Sequence, residues 1–240
     1  MQVPPPPQPW PPIVAIPGWS CGSGAWNRLL PAIGLAAVAH ADIGSARAAD
    51  KLLPTVLAAL DAEPAVLIGS SLGAMLAVEA AVEAGARVRA LVLLGGTLRF
   101  TSDDRKLGWP ARAVERMVRR LAEDLPATVE RFQMAMFAPG EEPEARAFRH
   151  EATCQYGWTM EGLMAGLDYL LAADLTRRVR DLACPVLWVH GDADGICPPG
   201  ATAALGDRHA RVVLPLAGHL PAWTRPREVA DAVQRFLADA

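Results

Sequence analysis

The amino-acid sequence predicts an α/β fold: a mostly parallel central sheet flanked by helices, with a helical lid insertion. Three observations predict it. Short, wholly apolar runs alternate with helical patterns from Ile13 to about residue 98. The alternation stops over residues 99–181, where helical periodicity persists and no convincing strand is found. It then resumes over residues 182–240. Strands that are apolar along their whole length suit a parallel sheet covered on both faces. The chain is therefore divided into a proline-rich arm (1–12), a core (13–98 and 182–240) and a helical lid or cap (99–181).

Each element follows from local chemistry. In "MQVPPPPQPWPP" the prolines remove the amide donors a strand ladder needs, so an extended arm is expected. "IVAIPGWS" is a short apolar run closed by turn residues, hence a buried strand. "GAWNRLLPAI" suits a short helix, "LAAVAHADIG" a second buried strand, and "AADKLLPTVLAALDA" a helix that starts near an acid. "AVLIG" is a strand, and the alanine-rich "SLGAMLAVEAAVEAG" a helix with Gly85 as its C-terminal cap. "VRALVLLGG" is another apolar strand. Within the insertion, "PARAVERMVRRLAEDL", "PATVERFQMAMF", "PEARAFRHEATCQYGW" and "MEGLMAGLDYLLAADL" have helical spacing. "CPVLWVHGDAD" and "RVVLPLAGH" each read as strand then loop. "PPGATAALGD" is expected to be a helix with prolines at its start, and "REVADAVQRFLADA" the closing helix.

Composition narrows the function classes. The 240 residues are 52% hydrophobic, enough for a sizeable core, and 20% charged with a formal net charge of −3. No basic excess points to nucleic acid. The N-terminus lacks the basic start and apolar stretch of a signal peptide, and no long uncharged apolar run suggests a membrane span. Cys21, Cys154, Cys184 and Cys197 form no C-x-x-C pair, so reduced thiols in a cytoplasmic protein are expected, with no metal.

The chemistry centres on "GSSLG", residues 69–73, a G-x-S-x-G between an apolar strand and a helix. That context suits a nucleophile on a sharp turn, with glycines where side chains would clash and a helix N-terminus facing developing negative charge. Ser71 is the centred serine, and Ser70 its neighbour at the variable position. A serine hydroxyl needs a base. Of five histidines, His219 in "PLAGHLPAW" lies on the loop after the last strand, where it could reach over the carboxyl ends of the sheet. An acid must orient it, and "HGDADGICP" offers Asp192 and Asp194 after the penultimate strand. Spacing favours Asp194, with Asp192 as a structural neighbour. The order Ser71, Asp194, His219 is the one expected for such an elbow. Two backbone amides should form an oxyanion hole, Leu72 after the nucleophile and Trp19 after Gly18, with the Trp19 ring walling the acyl pocket. This chemistry needs no cofactor.

Taken together, "PGWS", "GSSLG", "HGDAD" and "AGH" resemble the α/β-hydrolase family from Ile13 onward. The stretches "GWS", "VRALVLL", "TVERF", "GLDYLLAADLTRRV" and "DADGICP" further resemble the carboxylesterases of biotin synthesis that act on pimeloyl-[acyl-carrier protein] methyl ester. That resemblance implies release of methanol from a pimeloyl chain held on acyl carrier protein. Three positions depart from it. Pro17 stands where many relatives have histidine, and Ser70 where the esterases often carry a bulky aromatic. The arm replaces the usual first hairpin, so about six strands are expected. With Trp19 and Ser70, Phe137 and Trp158 are candidates for the substrate pocket. Met134, Met136, Met160 and Met164 are candidates for the acyl tunnel or for plain lid packing.

Acyl carrier proteins are acidic, so a carrier-dependent esterase needs basic residues at the tunnel mouth. Arg112, Arg116 and Arg120 recur at i, i+4 on one predicted helix, followed by Arg131, Arg146 and Arg149. The alternative is a solvated helix balanced by Glu115, Glu123 and Asp124. Two other functions remain open at this point: a general esterase or related hydrolase of small esters, lactones or carbon–carbon bonds, and a non-catalytic receptor on a hydrolase fold.

Overall fold

The computed structural model describes residues 10–36, 38–152, 157–200 and 209–239. Six strands form one sheet: β1 (Ile13–Ile16), β2 (Ala39–His40), β3 (Ala65–Ser70), β4 (Val88–Leu94), β5 (Val186–Gly191) and β6 (Ala210–Leu214). Their order is β2-β1-β3-β4-β5-β6, and every neighbouring pair is parallel.

Side chains alternate across the strands, as the two-residue period requires. Val14, Ile16, Leu67, Leu91, Leu93 and Trp188 join one core layer. Ile13, Ala15, Val66, Ile68, Val92 and Leu187 join the other. The first layer is covered by α2 (Leu52–Ala58) and α3 (Leu72–Ala84) and continues into the insertion. The second is covered by α1 (Leu29–Ala32) and α9 (Pro226–Asp239). A short helix, α8 (Pro221–Thr224), joins β6 to α9.

The strand expected from "LAAVAHADIG" is corrected. Among the described residues of this stretch, only Ala39 and His40 form a strand in the sheet, and both are exposed. They form its outer edge, and alanines offer little apolar area to drive burial there. β6 lies at the other edge and is exposed over most of its length. The arm residues 1–9, and residues 201–207 of the helix predicted over 198–207, lie outside the described residues. Gly85 does cap α3, at φ 55°.

The insertion forms α4 (Ala111–Glu123), α5 (Leu125–Ala135), α6 (Glu142–Glu151) and α7 (Met160–Ala172). Its starts are encoded locally. Asp124 accepts a hydrogen bond from the Ala127 amide (3.0 Å), and Thr159 accepts one from Gly162 (3.0 Å). Prolines occupy the first turns of α5 and α6. α4 buries only Val114 and Leu121 and turns its arginines outward. At the neck, Arg99 and Asp174 form an antiparallel bridge, and Leu175 donates to Leu98 O (2.8 Å).

Docking of α7 needs a glycine. A Cβ at Gly162 would lie 1.9 Å from Gly44 O, inside the 3₁₀ turn Ile43–Ser45. Gly162→Ala is expected to cost about 1–3 kcal/mol through overpacking and to lower the midpoint of thermal unfolding by several degrees. A calorimetric comparison with the parent protein checks this.

Candidate active site

The site is assembled at the carboxyl ends of β3, β4, β5 and β6. Ser71 follows β3 and caps α3 with φ 55° and ψ −117°, a conformation L-residues rarely adopt. Its amide donates to Leu94 O (3.0 Å), which ties the turn to the end of β4. The surrounding glycines permit this crowding. A Cβ at Gly69 would sit 2.4 Å from Gly73 O, and one at Gly73 would sit 2.1 Å from Ile16 O. One at Gly18 would press on the Ser71 Cβ at 3.2 Å. The glycine spacing of the motif thus reports a helix pressed against two strands.

His219 is fully buried on the loop after β6. Its Nδ1 lies 2.8 Å from Asp194 Oδ2, while its Nε2 is buried with no hydrogen-bond partner among the described residues. The ring passes beside the end of β4, since a Cβ at Gly95 would meet His219 O at 2.5 Å and Nδ1 at 3.3 Å. The end of β4 thus meets Ser71 at Leu94 and His219 at Gly95.

Asp194 is equally buried but fully partnered. Oδ1 accepts from the amides of Ile196 (2.8 Å) and Cys197 (2.9 Å). Oδ2 faces His219 Nδ1 and also His190 Nε2, 3.2 Å away. Burial alone would raise this carboxyl. The charge of His219 and the hydrogen bonds from His190 and His219 outweigh it and hold the group at about 2. Asp192 has a different place: its Oδ1 accepts from Leu216 N (2.6 Å) and fixes the turn that precedes His219.

His190, at the end of β5, has a role that residue order alone did not reveal. The Trp188 indole donates to its Nδ1 (3.2 Å). That leaves the proton on Nε2, which faces Cys197 O (2.7 Å) and Asp194. The signal was present in "WVHGDAD": Trp188 and His190 share one face of β5, and Asp194 follows four residues later.

The loop Gly18–Cys21, which includes Trp19, is held by the insertion. The Trp19 indole donates to Leu163 O (2.8 Å), Gln133 Nε2 to Ser20 O (2.9 Å), and the Trp158 indole to Cys21 O (2.8 Å). Ser20 has φ 61°. Phe132 packs edge-on against Trp19, with ring centroids 4.9 Å apart, and Gly166 leaves room for the indole. Leu72, the first residue of α3, is buried in the same layer. Ser70 is buried at the end of β3. Phe137 instead packs against Phe148, which contacts Trp223. Trp158 borders a cleft of about 240 Å³ with Pro17, Cys21, His40 and Asp42. Phe132 and Gln133 were not singled out in the sequence because their partners are more than a hundred residues away.

The arginines divide into two sets. Arg116 and Arg120 of α4 and Arg131 of α5 border one groove of about 280 Å³ floored by Trp109, Met117 and Phe132. Arg112 lies one turn earlier on α4, outside that lining. Arg146 and Arg149 stand on α6, where Arg149 pairs with Glu130 of α5 (2.6 Å). Among the described residues, no group of three or more His, Cys, Asp or Glu could hold a metal ion. No described helix is long and apolar enough to cross a membrane. Cys21, Cys184 and Cys197 are free, and burial pushes the Cys21 thiol up to about 12. Cys154 lies outside the described residues.

A family model described as serine aminopeptidase, S33, matches residues 46–214. The chain belongs to this family of α/β-hydrolases. A pimeloyl-[acyl-carrier protein] methyl ester esterase from Xanthomonas axonopodis pv. citri (strain 306) is 33% identical to it, over 95% of each chain. One of the same name from Pectobacterium carotovorum subsp. carotovorum (strain PC1) is 29% identical over 93% of each. Among solved structures, a bromoperoxidase from Bacillus anthracis superposes with TM-score 0.79 at 19% identity, covering 96% of this chain and 92% of that one. An esterase from Exiguobacterium antarcticum gives 0.76 at 17% identity, covering 95% and 92%. These two show that this α/β-hydrolase shares their fold.

The pH dependence of the site follows from Asp194. Its folded value, about 2, lies below the ordinary 3.8. The linked stability is therefore present above about 4 and lost as pH falls towards 2. His190→Phe keeps a ring in place but removes a donor to Asp194. The folded value should rise, so unfolding begins at a higher pH than in the parent. Circular dichroism melts between pH 2 and 5 measure the displacement.

Proposed function

We propose that this chain is a serine carboxylesterase that hydrolyses the methyl ester of pimeloyl-[acyl-carrier protein], releasing methanol, in biotin synthesis. The observation that carries the chemistry is His219, bonded to Asp194 at Nδ1 and with an unpartnered buried Nε2 beside the strained Ser71 turn. The full-length similarity to esterases of that name supports the substrate.

Ser71 Oγ attacks the ester carbonyl while His219 Nε2 takes its proton. Asp194 holds Nδ1–H and stabilises the imidazolium. The amides of Leu72 and Trp19 receive the oxyanion. His219 then protonates the departing methoxide, which leaves as methanol. Water, deprotonated by the same nitrogen, attacks the acyl-serine. The acid is released and the proton returns to Ser71. In this reading residues 99–181 are the lid, with Trp19, Ser70 and Trp158 towards the acyl chain and Phe137 packed against Phe148. Free Cys21, Cys184 and Cys197 agree with a cytoplasmic setting.

The groove edged by Arg116, Arg120 and Arg131 supports an acidic carrier as partner, with Arg112, Arg146 and Arg149 as flanking positive charges. Arg116→Glu combined with Arg131→Glu should raise KM for the carrier-borne ester roughly tenfold at low ionic strength, and less at high salt. Steady-state assays at two salt concentrations read this out.

Ser71→Ala should lower esterase turnover by at least about 10⁴-fold while the thermal transition stays cooperative. Methanol release from pimeloyl-[acyl-carrier protein] methyl ester tests chemistry and substrate together. Activity on p-nitrophenyl esters with none on the carrier-borne ester would favour a general esterase. Failure of the parent to be acylated by a fluorophosphonate probe would favour a non-catalytic receptor.

A further inference from the structure

The loop that presents His219 is held from outside the core by the junction between α5 and α6. Two successive amides of that loop donate into it. His219 N–H donates to Met136 O (2.7 Å), and Gly218 N–H donates to Glu141 Oε2 (3.1 Å). Gly218 makes this approach possible, since a Cβ there would lie 2.7 Å from Met136 O and 2.8 Å from Glu141 Oε2.

Glu141 is an unusual residue to find at such a place. It is 4% exposed, although burying a carboxylate is costly unless hydrogen bonds and a counter-charge compensate. It precedes α6, yet its side chain makes no cap to that helix. Instead it turns inward. Oε2 also accepts from Ala138 N (3.0 Å), and Oε1 lies 3.3 Å from Arg225 Nη1. Arg225 in turn donates to Leu216 O (3.4 Å) and Thr224 O (3.1 Å). One buried carboxylate therefore ties chain on both sides of His219 to the insertion.

We propose that Glu141 is a positioning residue for the general base. Asp194 sets the tautomer of His219, but a bond at Nδ1 leaves the ring free to swing with its backbone. Glu141 and Met136 fix that backbone, and so fix where Nε2 stands relative to Ser71. The insertion is then part of the catalytic frame as well as its cover. The inference rests on the Ser71–His219–Asp194 reading above.

The test is steady-state hydrolysis of a p-nitrophenyl ester by the full chain and by Glu141→Ala, Glu141→Gln, Glu141→Asp and Ser71→Ala. Glutamine presents an oxygen to the same two amides, whereas aspartate is one methylene too short to reach Gly218. Glu141→Ala should lower kcat roughly 10- to 100-fold, with KM within about twofold of the parent. Glu141→Gln should retain kcat to within about threefold, and Glu141→Asp should resemble alanine. If Glu141→Ala yields no folded protein, the Gln and Asp pair decides alone. Parental kcat in Glu141→Ala overturns the proposal, as does a loss confined to KM or a Gln variant slower than Asp. A Ser71→Ala enzyme that still turns over removes the triad reading itself. An inactive Ser71→Ala beside a fully active Glu141→Ala removes only the role of Glu141.

Discussion

The structure depends on one close approach. Between Gly69 and Gly73 the chain passes from β3 into α3 with so little room that no side chain fits at either glycine. Ser71 takes a left-handed φ as a result, and that strain is held by the sheet and helix around it. The helix can then lie with its N-terminus beside the carboxyl ends of β1 and β4. Gly18 closes on the same spot from β1, and Gly95 from β4. Backbone packing thus places the Ser71 turn against the Gly18 loop, and the end of β4 against His219.

The parallel α/β sheet was legible in the sequence because its signal is local. Apolar runs such as "AVLIG" and "ALVLLGG" favour burial, and loops that follow them emerge at one end of a parallel sheet. Ser71, Asp194 and His219 each stand on such a loop. The reading failed at "LAAVAHADIG", where an apolar pattern alone does not say whether a strand is central or at an edge. It was silent on Gln133, Phe132 and Glu141, since no spacing rule links them to partners at Ser20, Trp19 and Gly218. His190 was visible as a histidine, but its bond to Asp194 depends on how the loop folds back after β5.

The insertion and the core are joined by chemically specific contacts. Indole, amide and carboxylate groups reach backbone atoms of the two loops that flank Ser71, and aromatic faces fill the space between. On the outer side, Arg28 stacks over Trp223 at 4.0 Å and pairs with Glu144 and Glu151 of α6. These partly solvated pairs contribute little to stability individually. The buried hydrogen bonds matter more, because a donor or acceptor left without its partner costs about 1–3 kcal/mol.

The bond from His219 N–H to Met136 O bears on how such insertions can diversify. The exposed faces of α4 and α6 can change residue by residue, since they answer mainly to solvent and to whatever docks there. The stretch from Gln133 to Glu141 cannot, because it shares hydrogen bonds with two loops of the core. A cap transplanted from another hydrolase would have to bring matching versions of both loops. Segments far apart in this chain are therefore expected to accept or refuse change together.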